Sequence, residues 1–151
     1  MEVLAKDKSD SPFLLPNAEV IHLLEDRLKS RNEKSRKKQN PKKNKYKHRD
    51  WIESQVLEYL KTTPCVDLQK ENLETFQSTL MSSKKLKSSG NTASETGFGL
   101  TEAEALQVLN FVPKEKVEIH LMVEELHTRM TDDRQDELLQ YIQSQSPEIY
   151  S

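Results

Sequence analysis

An all-α domain is what this sequence predicts, on three observations: capping residues stand ahead of apolar runs, the apolar residues recur at helical spacing, and prolines close the runs. The order begins with Phe13-Leu14-Leu15, extended and apolar before Pro16. A short strand is expected there, and because a lone strand cannot satisfy its own backbone, it would join a sheet supplied by another protein. Asn17 then caps a helix in which Val20, Leu23, Leu24 and Leu28 fall at i, i+3, i+4 and i+8. Asp50 and Glu53 form a capping pair for a second helix carrying Ile52, Val56, Tyr59 and Leu60, which Thr63-Pro64 ends. A third helix carries Leu73, Phe76 and Leu80.

Residues 82–99 are rich in Ser, Lys and Gly and read as a flexible connection. After it, Thr101 and Glu104 have the spacing of a capping box, so a helix starts at Thr101 and must stop by about Val112, ahead of Pro113. Pro113 can open the next helix, where Ile119, Met122, Val123 and Leu126 make one apolar stripe. Thr131 caps the last helix, with Asp132 and Asp133 near the positive end of its dipole and Leu138, Leu139 and Ile142 facing inward.

Composition bounds what such a chain can do. Its 151 residues are 34% apolar, enough for one modest core, with the remainder as linker or as surface that needs a partner. Cys65 is the only cysteine, so no internal disulfide forms and a reducing compartment is compatible. No apolar run reaches the roughly 20 residues of a membrane span, and Met1–Asp7 lacks the apolar core of a secretory signal. A soluble, intracellular protein with no membrane contact is expected.

The net charge of -2 conceals a segregation along the chain. Residues 29–49 hold 11 Lys or Arg against one acid, Glu33, leaving 12 bases and 24 acids elsewhere. This basic stretch repels itself and has no apolar periodicity, so a mobile loop is expected. Arg36, Lys37, Lys38, Lys42, Lys43 and Lys45 have three competing uses: a solvated loop, a nuclear import signal, or a weak contact with nucleic acid phosphates. Tyr46 and Trp51 bracket its end, but Trp51 reads better as the start of a helix than as a base-stacking platform.

Catalytic and cofactor chemistry find no support. His22, His48, His120 and His127 do not stand at zinc-site spacings with cysteines or carboxylates, and His120 and His127 read as surface imidazoles. Gly97-Phe98-Gly99 lacks the Lys and Ser/Thr of a phosphate loop. No feature activates Cys65, and Glu124-Glu125 reads as a solvated helix face. No catalytic residue, metal ligand or cofactor is expected.

The order of signals supplies a family. Leu-Thr-x-x-Glu-x-x-x-x-Leu-Asn-x-x-Pro from Leu100 to Pro113, then Val117-Glu118-Ile119-His120-Leu121-Met122-Val123-Glu124-Glu125, then a Thr-led acidic helix, resembles the small helical subunit of the RNA polymerase stalk. The wording looks like the RNA polymerase III branch, whose members are also described as calcitonin gene-related peptide receptor components; the corresponding archaeal and RNA polymerase II proteins are similar more distantly. Leu15-Pro16-Asn17-Ala18-Glu19-Val20 and Tyr59-Leu60-Lys61-Thr62-Thr63-Pro64-Cys65 agree. The resemblance covers residues 14 to 28, 50 to 81 and 100 to 143, and it makes 82–99 look like an insertion.

The resemblance implies a helical fold of the helicase and RNase D C-terminal (HRDC) type and a non-catalytic, nuclear polymerase III subunit. Its implied partners are a stalk subunit with an oligonucleotide-binding (OB-fold) barrel, the polymerase III core and initiation factors, at the promoters of tRNA, 5S rRNA and other small RNA genes. On this reading the chain divides into a partner-binding strand and helix at 1–28, a basic loop at 29–49, the helical domain at 50–145 and a tail at 146–151. The N-terminal helix lies across a charged loop from the bundle, so Leu14, Leu15, Val20, Leu23, Leu24 and Leu28 are the expected partner-binding residues. Two other classes stay open: a free-standing module binding single-stranded nucleic acid, and a cytosolic receptor-associated adaptor, which rests on the alternative family name alone.

Overall fold

The computed structural model describes residues 14–36, 45–83, 85–86, 94–95 and 97–146. The helices are α1 (Asn17–Arg36), α2 (Lys47–Leu60), α3 (Lys70–Met81), α4 (Glu102–Phe111), α5 (Lys116–Met122), α6 (Leu126–Arg129) and α7 (Asp132–Gln145), with a 3-10 turn at Pro64–Asp67. Between α3 and α4, β1 (Lys85–Leu86) pairs antiparallel with β2 (Ser94–Glu95), Lys85 opposite Glu95 and Leu86 opposite Ser94. The expected all-α bundle is therefore observed, with one two-residue pairing inside the long connection.

The centre of the core is made where α3, α4, α5 and α7 meet: Phe76, Leu80, Leu109, Ile119, Leu138 and Ile142 are fully buried. The Phe76 ring meets Tyr141 of α7 edge-on at 5.6 Å, and Phe98 lies 5.7 Å from the same ring, with Arg134 stacked over its outer face at 4.3 Å. The 82–99 connection ends where it begins. Gly99 N–H donates to the Ser82 carbonyl at 2.9 Å, and Leu100 and Phe98 N–H donate to the Leu80 and Thr79 carbonyls at the end of α3. The returning backbone thus satisfies orphan acceptors of that helix. Gly97 is required by this closeness, since a Cβ there would lie 2.0 Å from the Ser82 oxygen.

Helix α1 departs most from expectation. It packs against α2, α3, α4 and the 3-10 turn, so it is part of the bundle. Its inward stripe is Ala18, Ile21 and Leu24, with Val20 half-buried beside it. The expected stripe of Val20, Leu23, Leu24 and Leu28 is split. Leu24 is 9% exposed and serves the chain's own core, whereas Leu23 at 49% and Leu28 at 38% face outward. The small Ala18 side chain allows close approach at the start of α1, and the Asn17 N–H donates to Asn110 Oδ1 of α4 at 2.8 Å. Pro16, rather than Asn17, accepts the first helical bonds, from Glu19 and Val20. Of the expected strand, Phe13 lies outside the described residues, and Leu14 and Leu15 belong to no regular element.

The loop expected at 29–49 is corrected at both ends, because α1 runs on to Arg36 and α2 begins at Lys47, while residues 37–44 lie outside the described residues. Asp50 and Glu53 do not cap α2, whose N-cap is Tyr46 without a side-chain bond. Both carboxylates face α1 instead: Arg31 reaches Asp50 at 2.5 Å and Glu53 at 2.7 Å, Arg27 reaches Glu53 at 2.7 Å, and Arg49 reaches Asp50 at 3.0 Å. Three guanidinium groups thus converge on two carboxylates and tie the second half of α1 to the start of α2.

At the C-terminal end the Thr101–Glu104 capping box is present in both directions, and Thr131 caps α7. The middle segment is shorter than the stripe suggests. Helix α5 opens at a Glu115–Glu118 capping box, not at Pro113, and stops at Met122. Val123 is extended and Glu125 left-handed, so Ile119, Val123 and Leu126 are all buried but belong to two helices and the turn between them. No helix among the described residues is long and apolar enough to cross a membrane.

Candidate partner interface

The apolar side chains left in water define where this chain can meet another molecule. Leu14, Leu15, Leu23 and Leu28 are exposed at the N-terminal end. Leu23 lines an open groove with Arg27, Ser30, Arg31 and Lys34 of α1 and Arg49 of α2. Helix α2 adds Trp51, Ile52, Val56 and Tyr59, all exposed, because Leu57 and Leu60 alone carry its buried face. Ile52, Val56 and Tyr59 stand at i, i+4 and i+7, a stripe of the kind that normally seeks cover. The expectation that this stripe builds the core is corrected at those three positions and holds at Leu60.

Of the six expected partner-binding residues, the structure leaves Leu14, Leu15, Leu23 and Leu28 available and places Val20 and Leu24 in or against the core. Trp51, read from sequence as a helix start, does lie in the first turns of α2, but its ring is 65% exposed and joins the outer surface. Its signal was present: position 51 falls outside the Leu57–Leu60 face at 100° per residue.

The basic residues divide. Arg36 ends α1, Lys45 stands in the turn before α2, and Lys37, Lys38, Lys42 and Lys43 lie outside the described residues. Lys45 Nζ is 5.9 Å from the centre of the Tyr46 ring, over which Arg49 stacks at 4.4 Å. Among the described residues no group of three His, Cys, Asp or Glu is placed to hold a metal ion. Cys65 is buried, with its sulfur 3.1 Å from Thr63 Oγ1, and His120 Nε2 is 3.1 Å from Gln135 Oε1.

The most perturbed acid serves the fold. Glu104 Oε2 accepts from the Thr101 N–H at 2.8 Å, while Arg129 closes on the carboxylate with Nη1 at 2.6 Å from Oε1 and Nη2 at 3.1 Å from Oε2. The Arg129 hydrogen bonds first, and the Thr101 amide after them, outweigh burial and hold the Glu104 carboxyl down at about 2. This pair ties α6 to the start of α4.

A surface with an exposed apolar stripe and an arginine-lined groove suits protein contact. A family model described as RNA polymerase Rpb4 matches residues 14–145. The chain belongs to the RNA polymerase Rpb4 family. It is also 29% identical over 139 residues to the DNA-directed RNA polymerase III subunit rpc9 of Dictyostelium discoideum, covering 86% of this chain and 81% of that protein. The family is one of RNA polymerase stalk subunits, and this Rpb4-family chain is non-catalytic and related to a polymerase III subunit.

Proposed function

We propose that this Rpb4-family chain is a stalk subunit of nuclear RNA polymerase III, paired with an OB-fold barrel subunit and acting in initiation at tRNA, 5S rRNA and other small RNA genes. The observation that carries the reading is the set of leucines that the bundle leaves uncovered at its N-terminal end, Leu14, Leu15, Leu23 and Leu28, in a chain similar to a polymerase III subunit. These four residues are the proposed contact with the barrel, and the exposed α2 stripe extends it. These leucines are 38% to 60% exposed, so covering them recovers only part of the roughly 1.5–3 kcal/mol of a fully buried leucine, and the exposed α2 stripe is needed to complete the apolar contact. Helices α2 to α7 are proposed to be of the HRDC type, and the basic run from Arg36 to Lys45 to serve nuclear import or a weak nucleic acid contact.

The test replaces Leu23 and Leu28 with Asp. Both side chains are outside the core, so thermal unfolding should stay unchanged while co-purification with the barrel subunit is lost. Retention of the complex by a correctly folded double variant sinks the proposed contact.

A further inference from the structure

Helix α5 presents two apolar side chains that its own fold does not use. Val117 and Leu121 are one turn apart on its outer face, and Leu121 is 82% exposed, the most of any large apolar side chain among the described residues. The inward side of the same segment is complete without them, since Ile119 and Val123 are buried and Met122 is partly covered. The segment Val117–Glu125 therefore contains residues that packing explains and residues that it does not.

Two further observations bear on those unexplained positions. The backbone is in the left-handed region at a non-glycine residue on each side of α5, at Val112 (φ 44) and Glu125 (φ 48), and at no other described non-glycine residue. A β-branched residue in that region is strained and persists only where its surroundings hold it; Val112 is held by complete burial. The two bends bound the α5 segment, which packs on α4 and α7. The second observation is electrostatic. Lys116, Arg129 and Arg134 are paired within the chain, with Asp136 at 2.8 Å, Glu104 at 2.6 Å, and Glu137 respectively. Glu115 and Glu118 are spent on the capping box that opens α5, whereas Glu124 and Glu125 just after it are exposed and form no ion pair among the described residues, Arg129 being the cation that acts on Glu124. The apolar ridge thus ends against two exposed carboxylates, Glu124 and Glu125.

We infer that the α5 ridge is a docking surface for a basic amphipathic segment of another protein. Its apolar side chains would cover Val117 and Leu121, and its Lys or Arg residues would meet Glu124 and Glu125. Complementary charge at a small apolar contact sets partner choice and speeds encounter. The same carboxylates repel phosphate, which sets nucleic acid aside. This surface is separate from the N-terminal leucines; it rests on the stalk reading only for the assembly in which it is tested.

The experiment places p-benzoylphenylalanine at position 121, and separately at position 23, in the tagged full chain expressed in cells, with photo-crosslinked peptides identified by mass spectrometry. Position 121 is expected to capture a Lys- and Arg-rich segment with apolar residues at helical spacing. A synthetic copy of that segment should bind the purified chain at least tenfold more weakly after Leu121→Asp, and Glu124→Gln with Glu125→Gln should weaken it and flatten its salt dependence. Crosslinks to an acidic segment, to nucleic acid or to a second copy of this chain overturn the inference, as does no crosslink at 121. If the chain does not co-purify with polymerase subunits and position 23 finds no barrel protein, the stalk reading alone falls. The product at 121 still decides the docking surface.

Discussion

Replacing Arg129 with methionine removes one charge from the brace between α6 and α4 while keeping most of the side-chain volume. The structure sets the size of the effect. Arg129 meets both Glu104 oxygens, at 2.6 and 3.1 Å, and also donates to the Gly99 carbonyl at 3.1 Å. The Glu104 carboxyl sits at about 2 against an ordinary 4.5. A depression of that size is worth at most about 3.5 kcal/mol at roughly 1.4 kcal/mol per unit. The Arg129 side chain is 31% exposed, so water screens part of this, and about 2 kcal/mol is the expected loss at pH 7. The sign follows from the direction of the shift. A carboxyl held below its unfolded value stabilises the fold fully above about pH 4.5 and loses that contribution as pH falls from 4.5 toward 2. Urea unfolding of parent and variant should therefore differ by about 2 kcal/mol at pH 7, with the gap closing through that window. A gap of constant size from pH 7 to pH 3 refutes the argument, and so does no gap at pH 7.

Asn110→Ala leaves the Asn17 N–H of α1 without its acceptor and should cost about 1 kcal/mol. Faster hydrogen exchange at the Asn17 amide, read by NMR, is the accompanying sign; unchanged exchange counts against the α1–α4 tie. Leu24→Asp puts a charge into the core beside Ile21 and should cost more than about 3 kcal/mol, in contrast to the outward Leu23. A Leu24→Asp variant with the parental melting temperature means that α1 does not dock on the bundle.

How far the fold was legible depends on how local the deciding interaction is. The Thr101–Glu104 and Thr131 caps are readable because each spans three residues and needs nothing from elsewhere. Asp50 and Glu53 have a similar spacing, yet Arg27 and Arg31 from another helix draw their carboxylates away. In α1, two apolar stripes share Leu24, and periodicity alone does not say which of them meets a neighbour. The long stripe through Ile119, Met122, Val123 and Leu126 has the right residues for the core, while the left-handed turn at Glu125 divides it between helices.

What this sequence determined by itself is an all-α chain with a charge-segregated middle, a family motif order, and helix starts near Thr101 and Thr131 that are set by contacts within one turn. Only the tertiary structure decided which side of α1 is buried, what Asp50 and Glu53 bind, and that Leu23, Leu28, Val117 and Leu121 stay in water. Burial and ion pairing join residues far apart in the chain, so they are settled only when the helices pack.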